Sequence, residues 1–438
     1  MTSTEPTIPQ SNNSVPSSCL LEELNVDCLI AILSEINSLA DLSAFIRASP
    51  AVFACFLLAK ASILVRVVTH ELGPAVRDAL VLCCTENIDI LAAGTIEQTL
   101  QIAVGGYRDC LVAARPPWVQ AQDVDTAVGI ARVARVALYF ADLYIRQQIP
   151  HVEQVLDSRP CGWNVSQTER RRIAQSLLRL QVMAGLYYPA FHEPGGDDYF
   201  FANMVTLFKG WEMEQVSEMA DFVANLIEAF KRLDRHLPPH SMDQDYFSNH
   251  YHKIFFFNLP AFSAMLVAAQ RVDDQLMHKL MAKKLCEARL FIRWLETSRY
   301  QAWRMQQGTR PPAAVLALLT PPAEDAAAQV EFNYESPTAP PWAWVHAWNG
   351  KPVNRWGLNL IPEFAHRGDY AEHHRASAWV KSWRSLGLVF WDKDHAKELL
   401  RAKALEGCRA GWLWSCLNSV TEVMPFPPGP GQENFGGF

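Results

Sequence analysis

The chain has 438 residues, of which half are hydrophobic and 19% are charged. This composition supports a large buried core and excludes a wholly disordered protein. The formal net charge is −7. Such a balance argues against binding nucleic acid through a bulk positive field, so no nucleic-acid partner is expected.

The N-terminal residues 1–18 are rich in Ser, Thr and Pro and contain neither a basic segment nor an apolar run. They predict a disordered tail and not a secretory signal. The longest apolar stretch, Ala51–Val68, is interrupted by Lys60 and Arg66, which is typical of a core helix and not of a bilayer span. Ten cysteines are too dilute for a disulfide framework. We therefore expect a cytoplasmic or nuclear protein with no membrane partner.

Short helices with more than one apolar face are predicted between Leu24 and Gly73. Asn25 is a suitable N-cap for the first of them. One stripe of this helix comprises Val26, Leu29, Ile30 and Leu33, and a second stripe comprises Cys28, Ile32 and Ile36. An apolar face that a small module cannot cover itself is usually covered by a partner.

Two more short helices follow the first. One spans Asp41–Ala48, and the next begins with Ser49 as a cap and Pro50 at its first position. The inward residues are predicted to be Leu42, Phe45 and Ile46 in the former and Val52, Phe53, Phe56 and Leu57 in the latter. The result is three helices of about ten residues joined by short turns.

The sequence is strongly helical from Ala75 to about Arg310. The clearest helical periodicity lies in Ala127–Gln148, Arg170–Tyr187, Trp211–Leu233 and Leu276–Trp303. Ser166 and Glu169 form a capping-box pattern, and Arg170–Arg172 are predicted to line the solvated side of the helix that follows. Since no sustained alternation of period two occurs, we predict an all-α fold with few or no strands.

The remaining segments are distinguished by composition. Residues 308–341 are proline-rich, and the segment from Trp342 to Trp414 holds nine of the 14 tryptophans. Aromatic packing between helices is favoured there over an aromatic ligand pocket. The predicted divisions are a tail at 1–18, a helical module at 19–72, a helical body at 73–307, a linker at 308–341, a Trp-rich helical part at 342–424 and a flexible tail at 425–438.

Catalytic signatures are not found in the sequence. It contains no phosphate-binding loop, no dinucleotide fingerprint, no H-E-x-x-H and no G-x-S-x-G, so neither an enzyme nor a cofactor is expected. The best metal candidate comprises His240, Asp243, Asp245, His250 and His252. Nothing in their spacing defines a coordination geometry, and a polar loop between helices is the favoured interpretation. No metal is expected.

Several segments together resemble a family of uncharacterised filamentous-fungal F-box-like proteins. The N-terminal match combines Leu24-x-x-x-x-Leu-x-x-Ile-Leu, the Asp41–Pro50 segment, Phe56-x-x-x-Lys-x-x-Ile-Leu and Glu71-Leu-Gly-Pro. Further matches are Val165–Ile173, Trp211–Glu214 and Leu386–Asp392. The resemblance therefore extends over most of the chain.

This resemblance implies an N-terminal F-box-like module packed on or linked to a larger, irregular helical domain. It also implies a substrate receptor of an SCF-type ubiquitin ligase that docks on a Skp-type adaptor and holds an unknown protein substrate. The candidate docking residues are Leu24, Leu29, Ile32, Leu33, Ile46 and Pro50.

One departure from this family bears on docking. F-box modules commonly carry Leu-Pro at the start of the first helix, and here Asn25 follows Leu24. The alternative is therefore a standalone helical scaffold or ligand-binding protein in which the module is absorbed into the core.

Overall fold

The computed structural model describes residues 21, 23–85, 104–111, 123–156, 163–191, most of 207–223, 338–344 and 386–401. This part of the chain is 81% helical and contains no strand, which confirms the all-α prediction. The helix predicted at Leu276–Trp303, the metal candidate at residues 240–252 and both terminal tails lie outside the described residues.

Three short helices form the N-terminal module: α1 Val26–Ser34, α2 Leu39–Ala48 and α3 Pro50–Leu58. The side chain of Asn25 accepts a hydrogen bond from the Cys28 amide at 2.7 Å, and those of Ser38 and Ser49 accept from amides in the first turns of α2 and α3. These caps satisfy amides that the helices themselves leave unpaired. The predicted Asn25 and Ser49 caps are thereby confirmed.

Two helix boundaries within the module differ from the prediction. Helix α1 ends at Ser34, because the Glu35 amide bonds back to the Ile32 carbonyl and tightens the last turn. Ile36, assigned to the second stripe of this helix, therefore lies beyond it. Helix α2 begins at Leu39, two residues before the predicted Asp41, since the Ser38 side chain caps it from that position.

Helix α4, Lys60–Leu72, belongs to two apolar clusters. Its residues Ile63, Leu64 and Val67 pack with α1, α2 and α3 in a cluster that we call the module core, whereas Val68 and Leu72 belong to a larger cluster that we call the body core. The 18-residue apolar stretch Ala51–Val68 is broken between α3 and α4. Among the described helices none is by itself long and apolar enough to cross a membrane; Pro50–Leu58 and Lys60–Cys83 pass that test of length and composition only as a pair bent by 94°.

The body is built from long helices. After a 3-10 turn at Gly73–Ala75 come α5 Val76–Thr85, α6 Val124–Val155, α7 Gln167–Phe191 and, much later, α8 Lys393–Arg401. Helices α5, α6 and α7 pack on one another, and α4 lies along α6. The helices predicted at Ala127–Gln148 and Arg170–Tyr187 are confirmed and are longer at both ends. The described residues from Trp211 to 223 are also helical.

A tight turn at residues 386–391 enters the middle of the body core, where Leu386, Leu388, Val389, Phe390 and Trp391 are all buried. The Trp391 indole donates to the Leu386 carbonyl at 2.5 Å, and the Gln215 amide group donates to the Val389 carbonyl at 3.0 Å. The φ angle of Gly387 is +66°, and a Cβ atom there would lie 2.8 Å from the Tyr144 hydroxyl. Only glycine fits this turn without strain.

Gly387→Ala tests this packing. We expect it to lower the free energy of unfolding by about 1–3 kcal/mol, because the new methyl group meets both a positive φ angle and the Tyr144 hydroxyl. The measurement is chemical denaturation of the full chain. Gly185→Ala is the matched control, since Gly185 lies exposed in α7 with open space around it. The control should be neutral or slightly stabilising, and equal losses in both variants would contradict the assignment.

Candidate interaction surface

Exposed large apolar side chains are concentrated in the module. Of the seven that the described residues contain, six lie between Leu24 and Leu58, and the seventh is Val124 at the start of α6. Their exposed fractions in the module range from 39% at Leu24 and Ile32 to 73% at Leu58. We call the six the module face: Leu24, Val26, Ile32, Phe53, Leu57 and Leu58. Helices α1 and α3, which carry five of them, pack against each other.

The predicted docking residues divide into two groups. Leu24, Ile32 and Pro50 are exposed. Leu29, Leu33 and Ile46 instead lie in the module core with at most 4% of their surface exposed. The assignment of these three to a docking face is therefore corrected, because they hold α1 and α2 against α3 and α4.

The exposed side of helix α3 differs in part from the side that its sequence predicts. Val52 and Phe56 point inward as predicted, but Phe53 and Leu57 are exposed, and Cys55 takes an inner position. The eight residues after Pro50 are all apolar, so hydrophobic periodicity could not distinguish the buried side of this helix from the exposed one. Only the packing of α3 against its neighbours identifies the exposed side.

The second stripe of α1 is largely uncovered. Cys28 and Ile32 are exposed, and Ile36 is half-buried beyond the end of the helix. Cys28 lies in an apolar sequence context, which predicts a buried cysteine, and this prediction is wrong. The same prediction is confirmed for Cys55 and Cys110, which are both buried.

A buried carboxylate joins the module to the body. One oxygen of Glu71 accepts from the Leu39 amide at the start of α2 at 2.9 Å, and the other lies 3.4 Å from the Arg170 guanidinium on α7. Arg170 also forms two bonds with the Asp142 carboxylate on α6, at 2.6 and 2.9 Å. Burial raises the pKa of Glu71, while the bonds from Leu39 and Arg170 act in the opposite direction. Helices α2, α4, α6 and α7 are thereby linked through one chain of polar contacts.

Arg171 reinforces the same junction. Its guanidinium donates to the carbonyls of His70 and Glu71 at the end of α4, the second at 3.1 Å from Nε. A positive charge at this end of a helix is favourable because unpaired carbonyls point towards it. Gly73, with a φ angle of +57°, leaves room for this side chain, since a Cβ atom there would lie 3.3 Å from the Arg171 side chain.

The prediction that Arg170–Arg172 line a solvated helix side is wrong. Arg172 is fully buried, and it donates to the Asp392 carboxylate at 2.7 Å and to the Phe390 carbonyl at 3.1 Å. Local periodicity could not indicate this, because Asp392 lies 220 residues further along the chain. Arg170 and Arg171 are half-buried, and each of the three arginines has an oxygen partner on another segment of the chain.

The Glu169 carboxylate accepts hydrogen bonds at the starts of two helices. The predicted capping box is confirmed, since the Ser166 amide donates to the Glu169 carboxylate at 2.8 Å and the Glu169 amide donates to the Ser166 hydroxyl at 3.1 Å. The other Glu169 oxygen accepts from the Asp392 amide at 2.6 Å and contacts His395 Nδ1 at 2.7 Å. Asp392 immediately precedes α8, and its side chain accepts from the Ser166 hydroxyl. One carboxylate therefore caps α7 and fastens α8 to it.

A second buried charge cluster lies between α5 and α7. Asp78 accepts hydrogen bonds from the Tyr107 hydroxyl and, at 3.1 Å, from Gln175. Arg179 lies 3.6 Å from Asp78 and 2.9 Å from Glu212. Burial raises the pKa of Asp78, and the charge of Arg179 opposes this shift. Glu212 also accepts from the Lys209 amide at 2.7 Å, which caps the helical segment that begins at Trp211.

Comparisons with protein families, with curated proteins and with solved structures gave no match for this chain. Its function therefore has to be argued from its own residues. In the part of the chain that the structure describes, no group of three or more His, Cys, Asp or Glu side chains could hold a metal ion. The Glu71 carboxylate bonds to a backbone amide and to an arginine, and the Glu169 carboxylate bonds to two backbone amides and contacts a histidine. The Asp392 carboxylate bonds to an arginine and to a serine hydroxyl. All three carboxylates therefore act on the packing of helices.

Mutation can distinguish the buried stripe of α1 from the exposed stripe. Leu33→Ala should lower the free energy of unfolding by about 2–5 kcal/mol, because it leaves a cavity in the module core. Ile32→Ala, one position earlier and exposed, should cost less than about 1 kcal/mol. Urea denaturation of the two variants measures both values. A larger decrease in the free energy of unfolding for Ile32→Ala than for Leu33→Ala would show that α1 is rotated about its axis.

The buried arginine can be compared with an exposed one. Arg172→Met should lower the free energy of unfolding by about 3 kcal/mol or more, since it removes the buried positive charge and donor that pair with the Asp392 carboxylate and the Phe390 carbonyl. Arg66→Met removes a surface pair with Glu35, whose atoms are 3.8 Å apart, and should change stability by less than about 0.5 kcal/mol. Thermal unfolding monitored by circular dichroism measures the stability of both variants. Similar melting curves for the two variants would refute the predicted difference.

Proposed function

We propose that this chain is an F-box-like interaction protein, a substrate receptor of an SCF-type ubiquitin ligase that binds a Skp-type adaptor through its N-terminal module. The observation that carries the proposal is the module face, six large apolar side chains exposed on one small group of helices. Clustered exposed apolar residues on a folded protein are typical of an interaction site. The motif resemblance of the N-terminal segments supports the choice of adaptor.

The module face suits docking because its side chains are already exposed in the unbound protein. Leu29 and Leu33 pack into the module core and fix the orientation of α1. Ile32 and Val26 are therefore exposed without any rearrangement. Binding to a rigid surface costs less conformational entropy than binding to a mobile one. Apolar area removed from water contributes roughly 25 cal/mol per Å². A partner that covers α1 and α3 together would gain this energy from both helices.

The structure changes the list of proposed docking residues. Leu24, Ile32 and Pro50 stay on it, and the exposed α3 residues Phe53, Leu57 and Leu58 join it. The helical body is proposed to hold a protein substrate. The proposed place of action is the cytoplasm or the nucleus, without a nucleic-acid or membrane partner and without catalysis by this chain.

One observation favours the alternative of a standalone scaffold. The module core is completed by Ala127 and Val128 of α6, and α4 contributes residues to both cores. The module is thus attached to the body by extensive packing and by the Glu71–Arg170 contact. Such a module could serve purely as part of a larger helical core. Adaptor binding distinguishes the two functions.

The test is binding of a purified Skp-type adaptor to the full chain, measured by isothermal titration calorimetry. Ile32→Asp and Leu58→Asp should each weaken binding by about tenfold or more, because each puts a charge into the apolar interface. Val124→Asp is the matched control, since Val124 is similarly exposed but lies on α6. It should bind like the wild type.

Circular dichroism of each variant separates lost binding from lost folding. If the wild-type chain does not bind the adaptor, or if all three variants bind equally well, the proposed function fails. Failure of wild-type binding would leave the scaffold as the better description.

A further inference from the structure

We propose that the His395–Glu169 pair is a pH-sensitive latch that fastens α8 to the start of α7. His395 lies in the first turn of α8, with Nδ1 2.7 Å from the Glu169 carboxylate. Its ring stacks on the Trp163 indole, with ring centroids 4.1 Å apart and an angle of 22° between the planes. The imidazole is thus held between a carboxylate and an aromatic face, although His395 lies 226 residues after Glu169 in the sequence.

Protonation changes the strength of both contacts. A hydrogen bond from an imidazolium to a carboxylate is charge-assisted and roughly twice as strong as a bond between neutral groups. A cation over an indole face is also attracted by the ring quadrupole. The neutral imidazole loses the charge in both contacts, and one of its two tautomers has no proton on Nδ1 to donate. The protonated form therefore fastens α8 more firmly than the neutral form.

The charged groups around His395 favour its protonated form. Glu169 approaches it from α7, and Asp392 and Glu398 contribute from its own segment. Arg172 on α7 is paired with Asp392. The other charged side chains of the first two turns of α8 are Lys393 and Asp394, both exposed, and Lys397, which extends over Trp342.

These surroundings set the direction of the pH dependence. Burial lowers the pKa of His395, but the hydrogen bond to Glu169 and the three carboxylate charges outweigh it and raise this pKa above its ordinary value of 6.5. A raised histidine pKa contributes stability that is complete below the unfolded pKa and is lost as the pH rises through the folded pKa. The latch is accordingly tight in mild acid and weakens towards alkaline pH.

The latch acts on α8 more than on the turn before it. Residues 386–391 keep their own anchors when His395 loses its proton, because Gln215 and Arg172 bond to the Val389 and Phe390 carbonyls. Helix α8 is fastened to α7 by the His395–Glu169 contact, and its buried residues are Ala396 and Leu399. Loosening would uncover these two residues and the Trp163 ring, without unfolding the body. The pair thus couples the exposure of one amphipathic helix to proton concentration.

Amide hydrogen exchange of the full chain tests this proposal. Protection factors of residues 393–401, corrected for the intrinsic pH dependence of exchange, are compared at about pH 6 and about pH 8.5, which bracket histidine titration. Wild type should show lower protection at the higher pH. His395→Gln, which keeps a donor but cannot be protonated, and His395→Phe, which keeps only the ring stacking, should show no such change.

Lys393→Gln, on an exposed residue of the same helix, serves as the control and should retain the wild-type pH dependence. A titration of the His395 ring by NMR should give a midpoint above 6.5. The latch is refuted if the wild-type protection of α8 is the same at both pH values, or if His395→Gln and His395→Phe keep the wild-type change. Refutation would not affect the adaptor proposal, which concerns the opposite end of the chain.

Discussion

The arrangement of the body depends most on the contacts of the buried Glu169 carboxylate. It accepts hydrogen bonds from the amides of Ser166 and Asp392, and it contacts His395. Two helix starts that are distant in sequence share one negative charge, which also compensates the positive ends of both helix dipoles. With this contact in place, the turn at 386–391 can reach the centre of the body core, where Trp391 is fully buried.

Glu71 has the same role at the junction with the module. It is a buried acid that accepts from a helix-start amide, at Leu39, and pairs with an arginine of α7. Isolated buried charges are costly, and these are tolerated because each is paired and hydrogen-bonded. Arg170, Arg171 and Arg172 thereby connect α7 to α4, α6 and the segment before α8, which explains why one short basic run lies among buried surfaces.

The module combines a firm attachment with an open surface. Its inner residues pack on α4 and α6, while its outer apolar residues on α1 and α3 stay exposed. A freely tethered module would not need the Glu71–Arg170 contact. The module is thus held in a defined orientation on a helical body and keeps an apolar outer surface.

Local sequence determined the helical fold class, the start of α3 after Ser49, the Asn25 cap and the Ser166–Glu169 capping box. These features depend on residues three or four positions apart, so the sequence displays them directly. Tertiary structure alone decided that Arg172 is buried, that Leu33 faces the core while Ile32 does not, and that Leu57 is exposed on a helix apolar all round. Each of these depends on a partner from a distant segment, Asp392 for Arg172 and the packed neighbours for α1 and α3, and hydrophobic periodicity carries no information about which distant segment covers a residue.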